Sequence, residues 1–183
     1  AGGQSLIPTM NFRLAEPAVL IDLNRVDELA GIEARDGAVW IGAMTRQGTA
    51  ECSEVVGSAA PLLAETFPWI AHPAIRNRGT IGGSLANNDP AACYPAAVLA
   101  SGATVVTNRR EIAADEFFQG LFETALGEGE IITAVRFPIP EAANYQKFLQ
   151  PASRFALTGV FVAYLPFSRL LHVILAPIVL AVL

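Results

Sequence analysis

Twelve residues near the middle of the chain, Gly79–Pro90 (GTIGGSLANNDP), contain three glycines, two hydroxyl residues and two asparagines. So little side chain contributes almost nothing to a core. The elements on either side must therefore be short and must hold this backbone between them. The chain opens on a second stretch of the same kind, Ala1–Ser5 (AGGQS). A glycine pair permits positive φ and removes the Cβ atoms that keep a ligand at a distance. Successive backbone N–H groups can then converge on one anion. The hydroxyls of Ser5, Thr80 and Ser84 add donors, and two such loops facing each other would clamp a pyrophosphate without a lysine. The same spacing also suits two tight turns or bulges, and spacing alone does not separate the readings.

The rest of the chain reads as many short strands and three or four short helices. The apolar run opening Ala18–Val26 predicts a buried strand and a turn. Asp36-Gly37 predicts a hairpin joining Gly31–Arg35 to Ala38–Thr45, and Thr45 then reads as the N-cap of a helical stretch through the fifties. Ala60–Ala71 has near-helical apolar spacing. Thr80–Ala86 reads as a short strand broken by glycines. Tyr94–Gly102 reads as a helix, with Pro95 in its first turn and Gly102 at its C-terminal cap. A second hairpin is expected around Asn108-Arg109, and further strands at Glu130–Pro140, Tyr145–Gln150 and Phe155–Tyr164. This pattern is α+β, without the alternation of a doubly wound sheet. The stretch 165–183 is almost wholly apolar. From Leu170 it is too short for a membrane span, which needs about 20 apolar residues, and His172 and Pro177 interrupt it. A buried strand or helix suits it, as does a segment foreign to the fold.

Composition removes several function classes. With 52% hydrophobic and 16% charged residues and a net charge of −5, the chain is globular and has no basic stripe for nucleic acid. Two cysteines, Cys52 and Cys93, and two distant histidines, His72 and His172, cannot supply the clustered ligands of a zinc or iron–sulfur site, so no metal is expected. Neither G-x-x-x-x-G-K-[ST] nor G-x-G-x-x-G is present. The opening AGGQSLIPTMNF lacks the basic and apolar regions of a signal peptide. With two lone cysteines, this leads to the expectation of a cytoplasmic protein.

The stretch AIRNRGTIGGSLANNDPAACYPAAVLASGATV resembles the FAD-binding (medium) subunit of the molybdenum hydroxylases, the carbon monoxide dehydrogenase and xanthine dehydrogenase family. AGGQSLIPTMNFRLAEPAVLIDLNRV, LGEGEIITAVRFPIP and YQKF resemble further motifs of that family, in family order. The resemblance covers about Ala1 to Tyr164. It implies a two-lobed α+β fold of the PCMH type, with FAD lying between the lobes. Ala1, Gly2, Gly3, Gln4, Ser5 and Leu6 match one pyrophosphate loop, and Thr80, Ile81, Gly82, Gly83 and Ser84 match the other. Ile132 falls where the family places a backbone contact to the flavin ring, and Lys147 where it places a lysine at the flavin's pyrimidine end. A cation there would stabilise anionic reduced flavin, and a solvated strand lysine is the alternative. Ile70 falls near an adenine-side position.

The chain also departs from the family. Cys93 stands where many relatives carry an Asp that binds a flavin-side hydroxyl. Asp89 lies nearby, either as a cofactor contact or as the cap of the turn before Pro90. Arg76 and Arg78 flank the second loop and suit phosphate, a partner or water; His72 reads as packing. The family begins with a strand–helix–strand segment before the first loop and continues after Tyr164 into a C-terminal domain. Against that pattern, 1–164 reads as an FAD-binding domain with most of its first lobe missing. The stretch 165–183 reads as replacing the C-terminal domain.

The resemblance implies an FAD-dependent oxidoreductase subunit, catalytic only within its complex. Its partners would be a small subunit with [2Fe-2S] clusters and a large molybdopterin subunit carrying the molybdenum cofactor. Electrons would leave to quinone, NAD or oxygen. The rival readings are another flavoenzyme of this fold, such as UDP-N-acetylenolpyruvoylglucosamine reductase, and a flavin-free structural remnant.

Overall fold

A computed structural model describes residues 1–149, 151, 156–164 and 172–177, the last two spans as backbone. In chain order the first elements are α1 (Leu6–Asn11), β1 (Ile32–Arg35), β2 (Ala38–Gly42), α2 (Gln47–Glu51), α3 (Glu54–Ala59), α4 (Pro61–Thr66), α5 (Pro73–Arg76), α6 (Ile81–Asn87) and α7 (Cys93–Ala100). There follow β3 (Thr104–Thr107), β4 (Glu111–Ala113), α8 (Ala114–Phe117), β5 (Phe118–Gly120), β6 (Glu123–Thr124), β7 (Ile132–Pro138), β8 (Ala142–Leu149), β9 (Ala156–Tyr164) and β10 (His172–Pro177).

A five-stranded antiparallel sheet of order β1-β2-β7-β3-β4 carries the core. Period-2 alternation points Val39 and Ile41 of β2, Val105 of β3, and Val135 and Phe137 of β7 to one face, all nearly or fully inaccessible. Helices α4, α6 and α7 cover that face with Leu62, Leu63, Ile81, Leu85, Ala97 and Val98. Phe67 meets Tyr94 edge-on, ring centroids 5.7 Å apart. A separate three-stranded antiparallel sheet, β10-β9-β8, follows. The Tyr145 N–H of β8 donates to Glu65 Oε2 of α4 at 2.7 Å, tying this sheet to the helical layer. The α+β architecture matches the sequence reading.

Local chemistry explains the elements that match. Asp36 and Gly37 both take positive φ, 53° and 71°, the left-handed pair a tight hairpin turn demands. Gly102 caps α7 at φ 56°, its N–H bonded to Leu99 O at 3.0 Å.

Four expectations are corrected. Ala18–Val26 forms no strand: Val19 and Ile21 are 74% and 80% exposed. A strand needs a neighbour's ladder, and no described strand pairs with this segment. Thr45 is not a helix cap. Its hydroxyl sits 3.0 Å from both Gly31 N and Gly31 O, bracing the chain just ahead of β1, and Arg46 is the N-cap of α2. Ser53 caps α3 instead, its hydroxyl accepting from Val56 N–H. Thr80–Ala86 is not a broken strand but the N-cap and nearly all of α6. More of the chain is helical than three or four helices, because eight short α segments stand among the described residues. Within 165–183, His172–Pro177 form β10, antiparallel to β9; the remainder lies outside the described residues. Among the described residues no helix is long and apolar enough to cross a membrane.

Candidate cofactor site

Helix α6 begins where Thr80 caps it, Oγ1 accepting the Gly83 N–H at 3.2 Å. Ile81, Gly82 and Leu85 form its buried face. Gly82 is there because of β2's exit: a Cβ on it would lie 2.6 Å from Ala43 Cβ and 2.9 Å from Ala43 O. Gly82 N–H donates to that same Ala43 O at 2.9 Å, Ile81 N–H to Thr45 O at 3.4 Å, and Ser84 N–H to Thr80 O at 3.1 Å. This corrects the sequence reading of the second loop. Its glycine pair is helical rather than left-handed, and the amides of Ile81 to Ser84 already have protein acceptors. What the loop contributes is closeness of approach.

The first loop supplies the donors. Gly2 is buried against the second loop, where a Cβ would overlap Arg78 O and contact Gly79 Cα. Gly3 turns the chain at φ 74°. Beyond it, α1 starts with the backbone N–H groups of Gly3, Gln4, Ser5 and Leu6 finding no protein acceptor among the described residues; Ile7 N–H is the first to bond, to Gly3 O at 3.2 Å. Such amides are the unpaired donors of any helix start. Gln4 Nε2 donates to Gly2 O at 3.2 Å and stiffens the turn.

The two loops meet at a cavity of about 140 Å³ whose wall includes Ala1, Ala43, Gly82, Gly83, Ala86 and Ile132. A Cβ on Gly83 would stand 3.1 Å from Ala1 Cβ, so the seam between the loops is closed to side chains. Ile132 is buried at the start of β7. A larger cleft of about 630 Å³ lies between the segment 24–32 leading into β1 and the stretch 44–53 around α2, and Met44 belongs to both walls. Arg46 borders it, donating to Arg78 O and, at 2.7 Å, to Asn24 Oδ1.

Glu130 anchors the loop before β7. Its side chain is 2% exposed and accepts from Arg110 Nε at 3.1 Å, Gly127 N–H at 2.8 Å and the Thr107 hydroxyl at 2.7 Å. The Arg110 guanidinium foremost, with the Gly127 amide and Thr107, holds its carboxyl down at about 2. The acid at the cavity wall is thus spent, and it would not repel an anion there as a free carboxylate would.

The other singled-out residues lie elsewhere. Asp89 accepts the Ala91 N–H at 2.9 Å, the turn-cap alternative, and is absent from the cavity wall. Lys147, on β8, is also away from it; its ammonium donates to Trp69 O at 2.9 Å and to Cys93 Sγ at 3.3 Å. Arg76 faces neither phosphate nor water. It is buried and forms a two-pronged pair with Glu51 at 2.7 and 3.0 Å while donating to Ile70 O at 2.9 Å. Arg78 is exposed. His72 is exposed too, so it does not pack; its carbonyl starts α5. Ile70 packs half-buried on the core. Cys52 and Cys93 are free thiols. Sequence reasoning missed Ala43, Ala86, Met44 and Glu130 as site residues. Only Glu130 had a signal, as the acid opening the last apolar strand of LGEGEIIT.

A helix start with unpaired amides, joined through Ala1 and Gly2 to a glycine-bearing wall, is the kind of backbone that can hold a phosphate-bearing cofactor. The chain belongs to the family described as the FAD binding domain in molybdopterin dehydrogenase, whose model matches residues 1–140. It is 41% identical over 166 residues to the 6-hydroxypseudooxynicotine dehydrogenase complex subunit alpha of Paenarthrobacter nicotinovorans, covering 87% of this chain and 56% of that one. To the carbon monoxide dehydrogenase medium chain of Hydrogenophaga pseudoflava it is 44% identical over 142 residues, 75% of this chain and 50% of that one. The solved carbon monoxide dehydrogenase of Hydrogenophaga pseudoflava superposes with a TM-score of 0.85 at 40% identity, over 89% of this chain and 59% of that one. The chain thus spans about half the length of the curated relatives it matches.

The observed residues fit FAD. Four amides of the first loop, Gly3 to Leu6, have no protein acceptor among the described residues; Ala1, Ala43, Gly82, Gly83 and Ala86 leave space at the cavity between Leu23, Met44, Leu126, Ile131 and Ile132; and the Glu130 carboxylate there is paired with Arg110, a set that suits a pyrophosphate.

Proposed function

We propose that this chain is the FAD-binding, electron-transfer part of a cytoplasmic molybdenum hydroxylase. In this reading it takes electrons from the iron–sulfur clusters of a small partner subunit and passes them to an external acceptor, while a large molybdopterin subunit oxidises the substrate. The observation that carries the reading is the meeting of the two glycine loops at one cavity beside Ile132. FAD, when bound, supplies reversible one- and two-electron transfer.

The chain's own residues do the rest. Gly3, Gln4, Ser5 and Leu6 present amides to the pyrophosphate, and the Ser5, Thr80 and Ser84 hydroxyls add donors. Gly82 and Gly83 admit the ligand's backbone-close approach. Ile132 walls the ring side, Asp89 stiffens the turn leading into α7, and Lys147 supplies the cation of the pyrimidine end. Glu130 fixes the loop that leads into Ile132 and keeps its own charge engaged.

The test is the flavin content of the full-length protein, by absorbance and by extraction, alone and with its partner subunits. One FAD per chain, reduced when the complex turns over, is the expected result. A full-length protein that carries no flavin and takes none up on addition of FAD would refute the proposal.

A further inference from the structure

Cys93, at the start of α7, and Lys147, on β8, are 54 residues apart in sequence, yet Nζ lies 3.3 Å from Sγ. Both atoms converge on one carbonyl, Trp69 O, at 2.9 Å from Nζ and 3.9 Å from Sγ. No carboxylate pairs with Lys147 among the described residues. Tyr145, which shares Lys147's face of β8, sits beside the same thiol; burial foremost, then Cys93, pushes its phenol up. The thiol is buried, so its surroundings are fixed, while Lys147 is half-buried and opens to solvent. Cys52, the other thiol, is exposed.

An amine held at contact distance from a thiol, with no acid to claim it, is placed for bond formation once the sulfur becomes electrophilic. We propose that Cys93 and Lys147 are a peroxide-driven modification site, closing to a covalent sulfur–nitrogen cross-link between α7 and β8. The oxidant is hydrogen peroxide. It takes two electrons from the thiol, giving sulfenic acid and one water. The lysine ammonium then loses a proton to solvent, and its nitrogen lone pair attacks the sulfur. The sulfur–oxygen bond breaks, hydroxide leaves as water with the second amine proton, and an S–NH bond remains. In sum, thiol, ammonium and peroxide give the cross-link, two waters and one proton. Sulfenic acid is known to condense with nitrogen in this way. Confinement replaces a chance encounter with a positioned one. A dithiol reverses the step by attacking sulfur and releasing the amine. Closure removes the positive charge of Lys147 and pins β8 to the start of α7. The cross-linking chemistry itself needs no flavin, so its test can succeed or fail independently of flavin content; where the proposed function holds, closure also withdraws the cation that Lys147 offers the flavin.

The experiment treats the full-length protein with hydrogen peroxide, blocks free thiols by alkylation, digests with trypsin and reads the peptides by mass spectrometry. The expected product joins the Cys93 peptide to the Lys147 peptide, lighter than their sum by a pair of hydrogen atoms. Trypsin no longer cuts after Lys147, and dithiothreitol restores both peptides. Lys147→Arg and Cys93→Ser abolish the product and Cys52→Ser leaves it unchanged. Because the first reading is made on the unaltered protein, a variant that misfolds does not obscure the answer. The proposal is overturned if treated protein shows normal cleavage after Lys147 with Cys93 as free thiol, as sulfinic acid or in a disulfide with Cys52.

Discussion

Gly82 and Gly83 are adjacent, yet their substitution by alanine should fail in different ways. A Cβ on Gly82 meets Ala43 Cβ at 2.6 Å, Ala43 O at 2.9 Å and Ala43 Cα at 3.0 Å. All three atoms belong to a buried exit from β2 whose carbonyl also holds the Gly82 amide, so nothing soft can give. Overpacking of this kind costs about 3 kcal/mol at the upper end of its usual range, and the better helix propensity of alanine returns about 1 kcal/mol. The net loss of about 2 kcal/mol, at a urea slope of about 2 kcal/mol/M, lowers the unfolding midpoint by about 1 M. A Cβ on Gly83 meets Thr80 Oγ1 at 2.8 Å and Ala1 Cβ at 3.1 Å. Thr80 can rotate away at the loss of its cap, about 1 kcal/mol, and helix propensity offsets that by about the same amount. Gly83→Ala should therefore leave the midpoint nearly unchanged, while Gly83→Val fills the seam against Ala1 and abolishes flavin uptake. The assay pairs urea unfolding of flavin-free full-length protein, followed by circular dichroism, with FAD titration by fluorescence quenching. Equal midpoints for the two alanine variants, or full FAD occupancy in Gly83→Val, would refute the reasoning.

Asn88 stands at the C-terminus of α6 in the left-handed region, φ 44°, and its Nδ2 donates to Gly120 O and Glu123 O at 2.8 and 2.7 Å. Asn88→Gly should cost about 2 kcal/mol for the two bonds and Asn88→Ala about 1 kcal/mol more for the backbone; equal losses in urea unfolding would remove the backbone argument. Arg76→Met leaves Glu51 half-buried and unpaired and should cost about 3 kcal/mol, most of it recovered by adding Glu51→Leu; additive losses in the double variant would count against a coupled pair. Glu130, held at about 2 against an ordinary 4.5, binds fewer protons folded than unfolded. Its contribution is complete above 4.5 and is lost as pH falls towards 2. Thermal scans down the acid range should show Glu130→Gln losing that acid-limb dependence, and a wild-type limb retained in the variant would exonerate the residue. Lys147→Met should keep FAD bound but lower its reduction potential, and an unchanged potential in a spectroelectrochemical titration would mark Lys147 as no cation of the flavin.

Where the rules are local, the sequence was readable. Asp36-Gly37 and Pro95 with Gly102 each determine their own geometry within a few residues, the strand expected at Glu130–Pro140 stands as β7 over Ile132–Pro138, and the structure agrees at each. The failures share a cause. Ala18–Val26 has the composition of a strand, but a strand is defined by its partner's hydrogen bonds, and composition names no partner. Thr80–Ala86 was misread because a glycine pair looks like a helix breaker. The reason glycine is required lay in Ala43, some forty positions away, where only a bare Cα fits. The same holds for the site. The resemblance located both loops, and their meeting depends on Gly2 lying against Arg78 O. The engaged state of Glu130 depends on Thr107 and Arg110 across a hairpin. The amides in particular could not be assigned from the sequence: both loops carry Gly-Gly, yet the second spends its donors on the exit of β2 and on its own cap, while the first leaves four without an acceptor among the described residues. Two glycine-pair loops thus divide the labour of one cradle, the first supplying backbone N–H donors and the second supplying clearance. Substitutions in Ala1–Leu6 should accordingly act on affinity through donor geometry, and those at Gly82–Gly83 through excluded volume.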